Sequence, residues 1–165
     1  MIQYFDDYIG YIVIADGTYD NFPESGTNRT SCNINMSLPK VKLSEEINDK
    51  RAFGVISNTE DYDSDQRHHR LGHFNSGYEK ERYDDRIIVN SLGEGAIMVC
   101  SYNGNLENGD YITTSPLEGL GMKQDDDLLH NYTVAKITQD EDFTSETSDI
   151  GEYKFKLVGC TYHCG

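Results

Sequence analysis

The chain has 165 residues, of which 29 are acidic and 14 basic, and its formal net charge is −15 at pH 7. Nucleic acid and anionic membrane surfaces are not expected partners, because both bind through clustered Lys and Arg. No stretch approaches the ~20 apolar residues of a membrane-spanning helix. The start, MIQYFDDYIG, lacks the basic region of a signal peptide. The length is typical of one domain, and we assign residues 1–165 to it.

Short apolar runs separated by Gly, Asn, Asp and Ser predict a mostly β fold with long polar loops and little helix. The spacing of the runs favours a single β-barrel-like or sandwich-like domain. Gly54 lies inside one run and indicates a bulge or a close backbone approach. The predicted strands are Tyr8–Ala15, Leu38–Leu43, Arg51–Ser57, Arg86–Asn90, Ala96–Tyr102, Tyr111–Ser115, Tyr132–Thr138 and Tyr153–Val158.

Turn signals divide these runs. Asp16-Gly17 and Gly93-Glu94-Gly95 predict tight turns, and Asn103-Gly104 and Asn108-Gly109 predict two-residue hairpins. Residues 125–131 are short enough for one helical turn. The long polar loops are predicted at Thr18–Ser37, Asn58–Asp85 and Gln139–Gly151.

One acidic pattern and one histidine-rich pattern partly resemble metal sites. Asp61, Asp63 and Asp65 have the alternate spacing that opens an EF-hand loop, but Gln66 and Gly72 stand where that loop needs Gly and Glu. His68, His69 and His73 follow in a region without an apolar stripe for a helix. A solvated loop explains both patterns better, so neither a metal nor a cofactor is expected.

Four cysteines, Cys32, Cys100, Cys160 and Cys164, are too few for a disulfide scaffold. The ending Cys160-Thr-Tyr-His163-Cys164 contains zinc-type ligands. However, strand alternation from Tyr153 predicts Cys160, Tyr162 and Cys164 on one face and His163 on the other. We therefore expect small buried thiols in a terminal strand, and water-facing Lys154 and Lys156 earlier in it.

Candidate catalytic groups are limited to carboxylates at predicted strand edges. Glu94 stands between two glycines, and Asp110 follows Asn108-Gly109. Such a pair is able to serve as general acid and base. More often these residues accept hydrogen bonds from turn amides.

Two strings carry a family resemblance. They are Asn90–Phe143, which contains GDYITTS, and the ending GCTYHCG; LPKVKLSEEINDKRAFGVIS adds to them upstream. Together they resemble the terminal domain of structural proteins in large DNA viruses and marine phages. That domain is similar to the peptidase G2 family of intramolecular chaperone, auto-processing domains. The resemblance covers about residues 37–165, and residues 1–36 form a divergent N-terminal segment.

The resemblance implies a β-rich domain at the end of a trimeric fibre or spike, where it helps three chains to register and fold. Some members then cut themselves from the fibre near their own N-terminus. The matching stretch here is Asp7–Ile14, and Gly10 and Val13 replace the two glutamates of the family. Gly10 cannot carry a proton, so the cleavage motif is degraded. Asp7 remains as an acidic neighbour.

The resulting hypothesis is a virion structural module that promotes homotrimer assembly, made in the host cytoplasm and incorporated with its parent fibre or capsid proteins. One alternative is an active self-cleaving peptidase that uses Asp7, Glu94 or Asp110. Another is a receptor-binding or glycan-binding fibre tip, in which the Tyr-rich composition and the loop at 58–85 supply the surface.

Overall fold

The computed structural model describes residues 5–21, 37–59, 87–145 and 147–164, and these ranges are mostly β. Helix in them is limited to two short 3₁₀ turns, Phe5–Tyr8 and Ser101–Asn103. None of the helices in these ranges has the length and apolarity needed to cross a bilayer. The strands are β1 Ile12–Asn21, β2 Ser37–Leu43, β3 Ala52–Thr59, β4 Ile87–Asn90, β5 Leu92–Cys100, β6 Tyr111–Thr114, β7 Gly121–Lys123, β8 Ala135–Ile137, β9 Ser148–Ile150 and β10 Tyr153–His163.

Two sheets contain these strands. Strands β5, β7, β6, β8 and β10 close into a five-stranded barrel because β5 also pairs with β10, and β9 extends one end of β10. The second sheet, in the order β2-β1-β3-β4, curls into a half-barrel. The predicted barrel-like fold is therefore confirmed.

The barrel interior is the main core. β5 and β10 pair along nine residues, from Phe155 opposite Cys100 to His163 opposite Leu92. Period-2 alternation points every second side chain inward. Ile12 and Val55 of the half-barrel join this interior, so the two sheets share one hydrophobic cluster. Its other fully or nearly buried members are Ile97, Val99, Leu106, Ile112, Val134, Ala135, Ile137, Phe143, Val158, Cys160 and Tyr162.

The N-terminal strand differs from its prediction. It begins at Ile12 rather than Tyr8, because Phe5–Tyr8 forms a 3₁₀ turn, and it continues through Asp16-Gly17 to Asn21. The predicted turn there is instead an irregularity in the pairing with β2, where the register shifts between Ala15 and Tyr19. Gly17 adopts a φ of 97°, which a bulge tolerates without ending the strand.

The predicted turn at Gly93-Glu94-Gly95 is wrong. These residues lie inside β5, and Gly95 is opposite Cys160 of β10. A Cβ atom on Gly95 would lie 2.8 Å from Cε2 of Tyr162, so this glycine makes room for a ring and not for a turn. The Tyr162 hydroxyl donates to the Ala96 carbonyl oxygen at 2.6 Å.

The two predicted hairpins are also wrong. β5 ends in the Ser101–Asn103 turn and is not paired with β6 in the described chain, because β7 lies between them. The Asn103 side chain instead donates to the carbonyl oxygen of Lys123 at 2.8 Å. Asn108-Gly109 does form a turn, with the Asp110 N–H bonded to the Glu107 carbonyl oxygen at 3.0 Å. The strand that follows this turn pairs with β7 and β8, so the turn does not join two paired strands.

Other elements agree with the sequence in part. The strands expected near β2, β3, β4, β6, β8 and β10 are present. The predicted close approach at Gly54 is confirmed, since a Cβ atom there would lie 2.5 Å from the Asn90 carbonyl oxygen. Residues 125–131 form bends and a turn rather than a helical turn. β7 was not predicted, and β9 lies inside the expected acidic loop at 139–151.

Candidate functional site

The three candidate catalytic carboxylates occupy unrelated positions. Asp7 is exposed in the first 3₁₀ turn, and Glu94 is exposed on β5 opposite Thr161. Asp110 is half-buried immediately before β6. Its Oδ2 atom accepts the Glu107 N–H at 2.8 Å and lies 2.8 Å from the Lys123 ammonium. The hydrogen bond to Asp110 raises the pKa of Lys123.

Glu94 and Asp110 do not form a pair. Asp110 immediately precedes Tyr111 of β6, which pairs with Lys136 of β8. Lys136 pairs in turn with Thr161 of β10, and Thr161 pairs with Glu94 of β5. Three strand spacings separate the ends of this row, about 14 Å along the sheet. The arrangement gives neither carboxylate the proton-transfer partner that the acid/base hypothesis requires.

An open groove of about 830 Å³ lies at the end of the barrel near β10. Two short segments line it, and they are joined by paired backbone bonds between Leu106 and Glu141 of 2.8 and 2.9 Å. The lining is mainly amide and carboxylate side chains. It comprises Asn105, Leu106, Glu107, Asn108, Gln139, Asp140, Glu141, Asp142, Ser145 and Lys156.

An ion pair lies within this lining. Glu141, with a side chain 5% exposed, accepts the Phe143 N–H at 2.8 Å and lies 2.9 Å from the Lys156 ammonium. The expectation that Lys156 faces water is therefore wrong, because its charge is paired with a buried carboxylate. Lys154 is exposed as predicted. Among the described residues that line the groove, Lys156 is the only cation and four are carboxylates.

The loop between β7 and β8 presents two leucines to solvent. Leu128 is 63% exposed and Leu129 is 62% exposed. Buried Gln124 holds the loop through its side-chain amide, which donates to the carbonyl oxygens of Asp126 at 3.0 Å and Leu128 at 2.7 Å. We call residues 125–131 the Leu128–Leu129 loop.

A histidine and an aspartate brace the same loop. Nε2 of His130 lies 3.0 Å from both carboxylate oxygens of Asp126, and the His130 ring stacks on Tyr132 with centroids 4.6 Å apart. The hydrogen bond from His130 is the main reason that the pKa of Asp126 is lowered. These contacts fix the leucines in place without covering them.

A second exposed apolar group lies on the outer face of the barrel. Leu92 is 69% exposed and stands opposite His163, whose ring meets Tyr111 edge-on at 6.0 Å. The Lys136 ammonium lies 5.7 Å from the centre of the Tyr111 ring, and in the described part of the chain it joins no ion pair. We call Leu92, Tyr111, Lys136 and His163 the Leu92–Lys136 face.

Among the three described cysteines, Cys100 and Cys160 are buried and Cys164 is half-buried, and the pKa of each thiol is raised rather than lowered. Burial raises the pKa of Cys100. Burial also raises the pKa of Cys160 to about 12, with Cys164 adding to the effect, and that of Cys164 to about 12. The predicted alternation is confirmed, because Cys160 and Tyr162 face the core and His163 contacts Tyr111 on the outside.

We expect these thiols to resist modification in the folded protein. A Cys32→Ser variant removes the cysteine that lies outside the described residues. At pH 8 almost no thiolate is present when the pKa is near 12, so Ellman's reagent should give no fast colour. In denaturant three thiols per chain should react. Rapid reaction of even one thiol in the folded variant would contradict the raised pKa of these thiols.

In the residues that the structure describes, no group of three or more His, Cys, Asp or Glu side chains is arranged to hold a metal ion. The EF-hand-like aspartates and His68, His69 and His73 lie outside those residues, as does most of the predicted loop at 58–85.

Sequence reasoning missed the Leu128–Leu129 loop and the Leu92–Lys136 face. The string QDDDLLH did carry a signal, since two adjacent leucines follow three aspartates. A helical turn would have buried one side of that string, whereas hydrogen bonds from Gln124 hold it open. Comparisons with family models, curated proteins and solved structures gave no match to this chain.

Proposed function

We propose that this domain is a virion structural module, the C-terminal trimerisation and intramolecular-chaperone domain of a fibre or spike protein. The main support is a set of large apolar side chains that one folded chain leaves in water. Leu92, Leu128 and Leu129 are each more than 60% exposed. Single exposed leucines are ordinary, whereas contiguous exposed apolar surface marks interaction sites, and Leu128 and Leu129 are adjacent on the braced loop.

The closed barrel suits a structural role. Its strands have paired neighbours on both sides, which removes free edges that would otherwise pair with other chains without specificity. Association through side chains on the outside then leaves the core intact. The family resemblance of Asn90–Phe143 and of the GCTYHCG ending supplies the fibre context.

Sedimentation equilibrium at micromolar concentration tests the trimer. We expect a species three times the 18.7 kDa mass of one chain. Because each chain carries a net charge of −15, added salt should strengthen association by screening repulsion between copies. A monomer across the micromolar range at both low and high salt would overturn the proposal.

The self-cleaving alternative has less support from the geometry. Glu94 and Asp110 are far apart, Asp110 is bound to Lys123, and Asp7 is exposed. We expect the domain, expressed behind its natural upstream segment, to give one stable band on a gel over many hours. A second band that grows with time, and that is lost in an Asp7→Asn, Glu94→Gln or Asp110→Asn variant, would restore the peptidase.

Receptor or glycan binding is a second candidate, and the groove at Asn105–Lys156 favours it. Its volume of about 830 Å³ is within the range of ligand sites. Amides and carboxylates supply acceptors for sugar hydroxyls, and the excess of carboxylates over cations in the lining disfavours sialylated or sulfated chains. A glycan array read with wild type and an Asn108→Ala variant tests it. Binding that is absent, or equal in both proteins, would remove this candidate.

A further inference from the structure

We infer that the Leu128–Leu129 loop of one chain docks on the Leu92–Lys136 face of the next, so that the subunits associate head to tail around a ring. This inference rests on the proposed self-association and names the surfaces that carry it. Neither surface covers the other within one chain, since Leu92 is 69% exposed and Leu128 and Leu129 are 63% and 62% exposed.

Charge excludes a contact between two copies of the same loop. The loop carries Asp125, Asp126 and Asp127, and only Asp126 has a histidine partner. A two-fold axis through the leucine pair would place six carboxylates in one interface. Like charges brought together in this way oppose association strongly. The loop therefore needs a different surface on its partner.

The Leu92–Lys136 face has the complementary properties. It offers an apolar side chain, Leu92, and the ammonium of Lys136, which joins no ion pair in the described residues. Glu94 lies on the same face, two residues beyond Leu92, so the face is close to neutral and much less acidic than the loop. Leucine side chains are then buried against Leu92 while Asp127 meets Lys136.

Two different surfaces in contact make a heterologous interface. Such an interface forms a ring when the rotation between neighbouring subunits returns to its start after a whole number of copies. Three copies are the smallest such ring beyond a dimer. The hydrogen bonds of Gln124 and the contact between His130 and Asp126 hold the loop before binding. Little conformational entropy is then lost when the loop docks.

The first test removes the apolar contact. A Leu128→Ser/Leu129→Ser double variant should weaken self-association on the order of 100-fold, because two leucines no longer leave water. An Ile47→Ser variant is the matched control, since Ile47 is 47% exposed on the connection between β2 and β3 and belongs to neither surface. It should assemble as wild type. Circular dichroism and thermal melting confirm that each variant is folded.

The second test exchanges the charges. Asp127→Lys and Lys136→Asp should each weaken association about 10-fold, as expected for loss of a close interfacial charge pair. The double variant restores opposite charges across the contact and should recover most of that loss. Damage to the fold cannot produce such recovery. If the double variant is no better than the single ones, the assignment of the receiving face is overturned.

The outcomes separate this inference from the proposed function. A wild-type monomer overturns both. A wild-type trimer that persists in the Leu128→Ser/Leu129→Ser variant supports the proposed function and overturns the inference. A trimer lost in that variant and kept in Ile47→Ser supports both.

Discussion

An Ile112→Ala variant is expected to lose about 3 kcal/mol of unfolding free energy, within the usual range for emptying a buried aliphatic site. Ile112 is fully buried in the barrel, where its Cγ2 atom occupies space beside Gly121. Gly121 is opposite Val99 in the parallel pairing that joins β7 to β5. The cavity would therefore lie beside the pairing of β7 with β5.

The reciprocal change should also destabilise the barrel. A Cβ atom on Gly121 would lie 2.6 Å from Cγ2 of Ile112, and a buried β-branched side chain has no alternative rotamer that relieves the contact easily. We expect Gly121→Ala to cost about 2 kcal/mol. In the Gly121→Ala/Ile112→Ala double variant the added methyl group enters the space left by isoleucine, so the combined loss should be smaller than the sum.

Urea denaturation of wild type, Ile112→Ala, Gly121→Ala and the double variant measures the coupling between the two positions. Gly159→Ala is the matched control, because its nearest neighbours would be the side-chain oxygens of Thr138 at 3.1 Å and Gln139 at 3.2 Å, and Gln139 is exposed. That variant should lose much less stability. If the Gly121 and Ile112 changes add to within about 0.5 kcal/mol, the two positions are not coupled as described.

A second large loss is expected when Asp49 is replaced by alanine. Asp49 is 5% exposed and its carboxylate accepts hydrogen bonds from the Arg51 N–H and Nε, both at 2.9 Å, and from the Arg51 terminal nitrogen at 2.7 Å. Its own N–H donates to Oγ1 of Thr114 on β6 at 2.8 Å. The carboxylate bonds join Asp49 to Arg51 within the connection between β2 and β3. The backbone bond to Thr114 docks that connection on the barrel, and replacement by alanine removes only the carboxylate bonds. We expect Asp49→Ala to cost about 2 kcal/mol near neutral pH.

The stability lost in Asp49→Ala should depend on pH, because the pKa of Asp49 is lowered in the folded protein. The hydrogen bond from Arg51 is the largest reason that the pKa of Asp49 is lowered in the folded protein. The stabilisation is therefore present above the unfolded value, about 3.9, and is lost as the pH falls through the lowered folded pKa. The difference between wild type and Asp49→Ala should shrink towards pH 2. An equal difference at pH 7 and pH 2 would contradict the ion-paired role.

Asp16→Ala is the control for this measurement. The pKa of Asp16 is also lowered, chiefly by the Thr18 hydroxyl, but Asp16 is exposed on β1. An exposed hydrogen bond of this kind exchanges readily with water, so its removal should change stability much less than removal of Asp49.

Local sequence patterns predicted the structure best in strands where every second side chain faces the core. The alternation in β10 predicted that Cys160 and Tyr162 share one face and that His163 lies on the other, and the runs near β2, β3, β6 and β8 identified strands. Such patterns depend only on the period of an extended chain and the burial of apolar side chains. The pattern failed at Lys156, because the same inward position at the end of the barrel is occupied by a charge whose partner, Glu141, is distant in sequence.

Glycine was the least informative residue in the sequence. Gly95 and Gly104 follow similar local signals, yet Gly95 lies within a strand under the ring of Tyr162 and Gly104 lies at the end of a 3₁₀ turn with a φ of 91°. A missing side chain serves both close packing and unusual backbone angles. For Gly95 the role in close packing is revealed only by Tyr162, which lies 67 residues away in the sequence.

The amino-acid sequence alone determined the β character, the acidic net charge and the face that Cys160 and Tyr162 share in the last strand, since each follows from composition or from a two-residue period. The tertiary structure decided the pairing of β7 with β5 at Gly121, the hydrogen bond that docks Asp49 on β6, and the exposure of Leu92, Leu128 and Leu129. Each of these depends on contacts between residues far apart in the chain, and no local pattern specifies which distant side chain fills a space or leaves a leucine uncovered.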